Sequence, residues 1–157
     1  MDHGMKAAEL FMEGYNCAQA VVLAFEDITG LERSFAAKMA SSFGGGMGRL
    51  REVCGAVSGM FLVAGLLYGY DTAGDDASKK KHYALVQHLA AKFREQAGSI
   101  VCREILKDPP SDPNPTPRTA EFYQTRPCAA MVLWAGRILD EHIQNNPPVL
   151  EKTEKIV

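Results

Sequence analysis

The stretch 53-VCGAVSGMFLVAGLLYGY-70 decides how the rest of this chain is read. Eighteen residues without a formal charge come close to the lower limit for crossing a bilayer. Gly55-x-x-x-Gly59 and Gly65-x-x-x-Gly69 also have the spacing that lets membrane helices pack closely. Four glycines, Ser58, Tyr68 and Tyr70 lower its hydrophobicity, however. A helix buried on all sides by other helices produces the same pattern. We read it as the central helix, about 52–70, of an all-α bundle, and expect no membrane insertion.

Outward from this segment the periodicity stays helical. Residues 3–13 place Ala7, Leu10 and Phe11 at helical spacing before Gly14. Asn16 is a good N-cap for a helix of about 17–28 with Ala20, Val21, Ala24 and Phe25 inward. A helix of about 32–43 uses Phe35, Met39 and Phe43 and stops at Gly44-Gly45-Gly46-Met47-Gly48. Asp75, Asp76 or Ser78 caps a long helix to about 96, with Tyr83, Val86, Leu89, Ala90 and Phe93 apolar. Ser99 opens a short one to about 107. From Asp108 to Pro127 the prolines forbid a continuous helix, so this stretch is a functional lid or a strap over the bundle. Pro127 then suits the first turn of a last helix, about 127–145, with Met131, Trp134, Ile138 and Leu139 inward. The expectation is one compact domain over 1–157, a bundle of six or seven helices, with the tail after about 146 frayed.

Composition supports that reading and removes several function classes. The chain has 157 residues, 46% of them hydrophobic, enough for one domain with its own core. A net charge of -2 leaves no basic stripe for nucleic acid. Lys79-Lys80-Lys81 reads as a solvated helix face. The N-terminal residues lack the features of a secretory signal, so a cytoplasmic location is expected. In reducing cytosol, cysteines are more often metal-binding, catalytic or buried thiols than permanent staples.

The chemistry lies in Cys17, Cys54, Cys102 and Cys128. Each falls where a helix is expected to begin: after Asn16, after the glycine-rich turn, after Ser99 and after Pro127. A first-turn cysteine faces unpaired backbone N–H groups and the positive end of the helix dipole, which favour the thiolate. Around the second thiol, Cys54-Gly55-Ala56-Val57-Ser58-Gly59 strips bulk from the helix. Gly55 and Gly59 therefore mark close approach by a bound cofactor or by another helix's backbone. This hexad makes Cys54 the first choice for the most exposed or activated sulfur. Arg49 and Arg51, with the N–H groups of the glycine-rich loop, are placed to stabilise thiolate charge. That loop lacks the P-loop Lys-Ser/Thr and fits no G-x-G-x-x-G register. His3, His82, His88 and His142 show no metal-ligand spacing and read as surface or core-edge residues.

The four dispersed cysteines, with Cys-Gly-Ala-x-x-Gly at the second, resemble the C_GCAxxG_C_C family of redox-active proteins. Val53 stands before the second thiol where the family's pattern has glycine. The resemblance runs from Cys17 through Cys128 and implies a joint role for the four thiols. Similar helical modules occur beside c-type haem domains in cytochromes that hold an iron–sulfur centre. The chain has no Cys-x-x-Cys-His, so covalent haem is not supported. Three chemistries remain open at this level. Two thiols cycle through a disulfide without a Cys-x-x-Cys; or all four bind an iron–sulfur cluster or zinc; or the thiols are inert, in an interaction module. The redox partner is unidentified, and a homo-oligomer is compatible with all three.

Overall fold

A computed structural model describes residues 1–149, and they are all-α. In chain order the helices are α1 (His3–Met12), α2 (Cys17–Ala24), α3 (Glu26–Thr29), α4 (Arg33–Ala40), α5 (Gly44–Met47), α6 (Gly55–Tyr68), α7 (Asp76–Ala97), α8 (Cys102–Ile105), α9 (Ala120–Thr125) and α10 (Cys128–Asn145). A 3-10 turn over Ser41–Phe43 follows α4. The frayed tail expected after about 146 lies largely outside the described residues. No helix among them is long and apolar enough to cross a membrane.

The centre is α2, packed against α1, α4, α6 and α10. Its sequence, CAQAVVLA, buries Ala18 and every residue from Ala20 to Ala24. The short alanines let neighbouring helices come close on several sides. Asn16 and Gln19 form a reciprocal capping box that satisfies two end groups of α2. The same two side chains donate to the Ser41 and Ala37 carbonyls, so the cap also fixes α4 against α2.

The decisive apolar stretch is a largely buried helix, though shorter than expected and not the central one: Leu66 is 46% exposed. Glu52 and Val53 are outside it: Val53 forms an antiparallel bridge with Val101. Gly55 and Gly59 face α2. A Cβ on Gly59 would lie 2.9 Å from the Ala18 carbonyl oxygen and 3.0 Å from Val21 Cβ. One on Gly55 would lie 2.9 Å from the Phe43 carbonyl oxygen and 3.0 Å from Cys17 Cβ. Their lost bulk is taken up by the neighbouring helix and the turn before it.

Other expectations shift in instructive ways. The helix of 17–28 breaks at Phe25, and the one expected over 99–107 shrinks to a single turn because residues 100–103 pair with 51–54 instead. Phe35 is 43% and Tyr83 52% exposed rather than in the core. For Tyr83 the reason is that α7 buries only Leu89, Ala90 and Phe93, near its C-terminal end. The Pro-rich stretch is a strap, one of the two forms expected of it, but Thr119 caps the extra helix α9 within it.

His3, expected at the surface or the core edge, is only 5% exposed. Its Nδ1 meets Asp140, its Nε2 meets Asp27 at 3.0 Å, and its ring stacks on Phe25 at 4.3 Å. It thereby ties the start of α1 to α3 and α10.

Candidate functional site

The structure brings the four cysteines to one place. Cys17 is the first residue of α2, Cys102 of α8 and Cys128 of α10, while Cys54 is the residue before α6. All four line one cavity of about 30 Å³, together with Gly46 and Met131. Two local devices produce this gathering. Residues 51–54 run antiparallel to 100–103: the Cys54 N–H donates to the Ile100 carbonyl at 2.7 Å, and the Cys102 N–H to the Glu52 carbonyl at 2.6 Å. That pairing sets Cys54 beside Cys102. Meanwhile Gly55 lets the start of α6 press on the start of α2, next to Cys17.

The glycine-rich loop closes the cavity from above. Five successive residues, Gly45 to Arg49, carry positive φ, and Arg51 follows at 60°. Glycine adopts this backbone freely, but Met47, Arg49 and Arg51 do so at about 1–2 kcal/mol each. Such strain persists where the surroundings over-determine it, commonly at functional sites. At Gly46 a Cβ would lie 2.6 Å from Cys102 Cβ, so only glycine passes there.

The left-handed turn throws Arg49 and Arg51 inward, onto the strap. Arg49 donates to the Asp112 carbonyl at 2.7 Å and to Thr116 Oγ1 at 2.8 Å. Arg51 is 4% exposed; its Nε donates to the Pro110 carbonyl at 2.9 Å and its Nη1 to the Cys102 sulfur at 3.7 Å. Its Nη2 is buried without a partner among the described residues. Arg118 lies over the Phe11 ring at 4.1 Å and donates to the carbonyls of Phe11 and Tyr15.

All four cysteines are free thiols, and their acidities diverge. Cys17 and Cys128 are neighbours in the wall of this cavity, and each shifts the other's acidity. The neighbouring Cys17 thiol is the main reason the Cys128 thiol is pulled down to about 7; Arg126, Arg118 and Arg51 add to it and burial opposes it. Cys17 moves well up, through the Cys128 sulfur and then burial. Burial pushes Cys54 up to about 12, despite the N–H groups of Ala56 and Val57 at its sulfur. Cys102 is raised by burial, with Arg51 pulling the other way. The expectation that Cys54 is the most exposed or activated sulfur is therefore corrected. It is 6% exposed, and desolvation outweighs its helix-start position.

A family model described as "Putative redox-active protein (C_GCAxxG_C_C)" matches residues 15–142. The chain belongs to this family. Neither a search of curated proteins nor one of solved structures returned a match. The family's description supplies a redox role but no mechanism, so the chemistry must be argued from the four thiols themselves.

Four thiols around one cavity are the donor set of a four-thiolate metal or iron–sulfur centre. The arrangement does not fit one as it stands. Among the described residues no three His, Cys, Asp or Glu side chains are placed to hold a metal ion. A cavity of about 30 Å³ also leaves no room for a polynuclear cluster unless the walls move apart. Sequence reasoning did not find Arg118 and Arg126, which flank the Cys17–Cys128 pair. Arg118 sits in the strap at the end of a proline run and Arg126 just before Pro127, and nothing in that local pattern points toward a thiol.

Proposed function

We propose that this family member is a dithiol–disulfide redox protein whose working pair is Cys128 and Cys17, acting in a reducing compartment such as the cytoplasm. The observation that carries the reading is that Cys17 and Cys128, the two partly exposed thiols, are neighbours in the cavity wall and also line the open cleft beside it, while Cys54 and Cys102 are buried; the opposite shifts of the two acidities support it. Cys128, with a thiolate favoured near neutral pH, is the attacking sulfur; a thiol with pKa near ambient pH is the best compromise between ionised fraction and nucleophilicity. Cys17, held as a thiol beside it, is the resolving sulfur. Cys54 and Cys102 complete the wall of the cavity and stay reduced.

The test is to oxidise the reduced protein with a small disulfide and map the bond by peptide mass spectrometry. A Cys17–Cys128 bond is expected, abolished by Cys128→Ser and retained in Cys54→Ser. Formation of no bond, or of a bond confined to Cys54 and Cys102, rejects the reading. The second reading, a four-thiolate zinc or iron–sulfur site, rests on the four thiols lining one cavity and needs its walls to rearrange around the metal. It requires the protein purified without oxygen to carry bound zinc or a brown iron chromophore that is lost in each cysteine variant.

A further inference from the structure

The thiol pair opens onto a second, larger space. A cleft of about 240 Å³ has Cys17 and Cys128 in its wall, with Arg49, Arg51, Arg118 and Arg126 around them. No carboxylate lines it; Asp112, at 3.8 Å from Arg49, is the acidic group paired with its rim. Four guanidinium groups meeting around two thiols, in a chain whose net charge is -2, is a strong local departure from the whole.

The four arginines divide by what they hold. Arg49 and Arg118 spend their donors on the strap carbonyls, Thr116 and the carbonyls of Phe11 and Tyr15. Arg51 Nη2 is a buried donor without a partner, which costs about 1–3 kcal/mol or more for a charged group unless a ligand satisfies it. Arg126 leans on the Phe122 ring at 5.5 Å, and its guanidinium makes no hydrogen bond or ion pair among the described residues. Asn16, Gly44 and Gly45 complete the wall on the loop side, with the Asn16 amide held by the Ser41 carbonyl and the Gln19 N–H, so the arginines supply the cleft's charge.

We propose that this cleft is the substrate subsite of the dithiol pair and that it selects a small anionic disulfide. Arg51 Nη2 and Arg126 hold its carboxylate or other anionic group while its sulfurs face Cys128. This rests on the dithiol reading given above. The Cys128 sulfur attacks one sulfur of the bound disulfide; that S–S bond breaks and half the molecule leaves as a thiolate. The Cys17 sulfur then attacks the mixed disulfide at Cys128, its proton passing to the departing thiolates through solvent, and the second half leaves. The protein dithiol is oxidised to one disulfide, and the small disulfide is reduced to two thiols.

The test compares three disulfides of different charge on the reduced protein: dithiodiglycolate, 2-hydroxyethyl disulfide and cystamine. Rates of Cys17–Cys128 bond formation are read by quenched alkylation and normalised to each reagent's rate with a free small thiol. The dianion is expected to lead the neutral reagent by about tenfold or more, with the cation slowest. R51Q and R126Q are each expected to erase most of that preference; R126Q, at a half-exposed site, keeps the test valid if R51Q fails to fold. Independently, the unreactive thioether thiodiglycolate is titrated calorimetrically into the C17S/C128S protein, where saturable binding lost in R126Q is expected. Equal normalised rates together with no thiodiglycolate binding overturn the subsite and leave the dithiol pair standing. Thiodiglycolate binding with no disulfide from any reagent removes the dithiol pair and leaves an anion site without its redox role.

Discussion

Arg51 reaches across from the left-handed turn and donates through Nη1 to the sulfur of Cys102 at 3.7 Å, while its Nε holds the Pro110 carbonyl at 2.9 Å. One side chain thus joins the loop before α6, a cavity-lining thiol and the strap. The strained backbone that aims it, with φ of 60° at Arg51 itself, is held in place by these contacts.

Thiol reactivity should follow the divergence of acidities. Cys128, pulled down to about 7, gains thiolate as pH rises through neutrality. Its alkylation rate is expected to climb between about pH 6 and 8 and then level off, because the reacting fraction is complete above its pKa. Cys54, pushed up to about 12, should stay unmodified throughout in the folded protein. Site-resolved alkylation across this pH range checks both; labelling of Cys54 before Cys128 would contradict the order.

Gly59→Ala tests close packing of α6 on α2. An exposed helix site would gain about 1 kcal/mol from this change. Here the new Cβ meets the Ala18 carbonyl oxygen at 2.9 Å, a backbone atom that cannot rotate away. A net loss of about 1–3 kcal/mol is expected, read by chemical denaturation. A gain in stability would show that the two helices are not so closely apposed.

Arg49→Ala should release the strap. The side chain holds the Asp112 carbonyl and Thr116 Oγ1; Arg51 holds only the Pro110 carbonyl, and none of residues 110–116 belongs to the hydrophobic core cluster. Faster amide exchange and proteolysis are expected there, with α1, α2 and α10 keeping their protection. Protection unchanged at 110–116 would rule out the clamp.

His3→Ala removes the ring between Asp140 and Asp27 and its stack on Phe25. Asp140, largely buried, then keeps only the residue-3 backbone N–H at one oxygen and loses the ring at the other. A destabilisation of about 2–3 kcal/mol is expected, more than a surface histidine would give. Thermal unfolding of the variant against the parent chain measures it.

Sequence and structure divide the account of this protein along physical lines. Periodicity and capping residues act within a few positions, so they place α1, α2, α6, α7 and α10 and set each cysteine at a helix start: Asn16 does it for Cys17, Pro127 for Cys128. The small-residue hexad likewise marks α6 as closely packed. What the hexad cannot distinguish is whether a cofactor or a helix fills the space, because both need only the absence of a side chain. Desolvation, too, is a property of everything around an atom, which is why Cys54 reads as activated along the chain and is suppressed in the fold. The glycines of the 44–48 run point to positive φ from the sequence alone, but the bridge from Val53 to Val101 and the left-handed backbone at Met47, Arg49 and Arg51 do not, because contacts from distant residues stabilise them. By itself, then, the sequence determined an all-α fold and four thiols at four helix starts. Only the tertiary structure decided that these starts meet at one cavity, that Cys17 and Cys128 are neighbours in its wall, and that arginines from the loop, the strap and the α10 entry surround them, since those contacts join residues far apart in the chain.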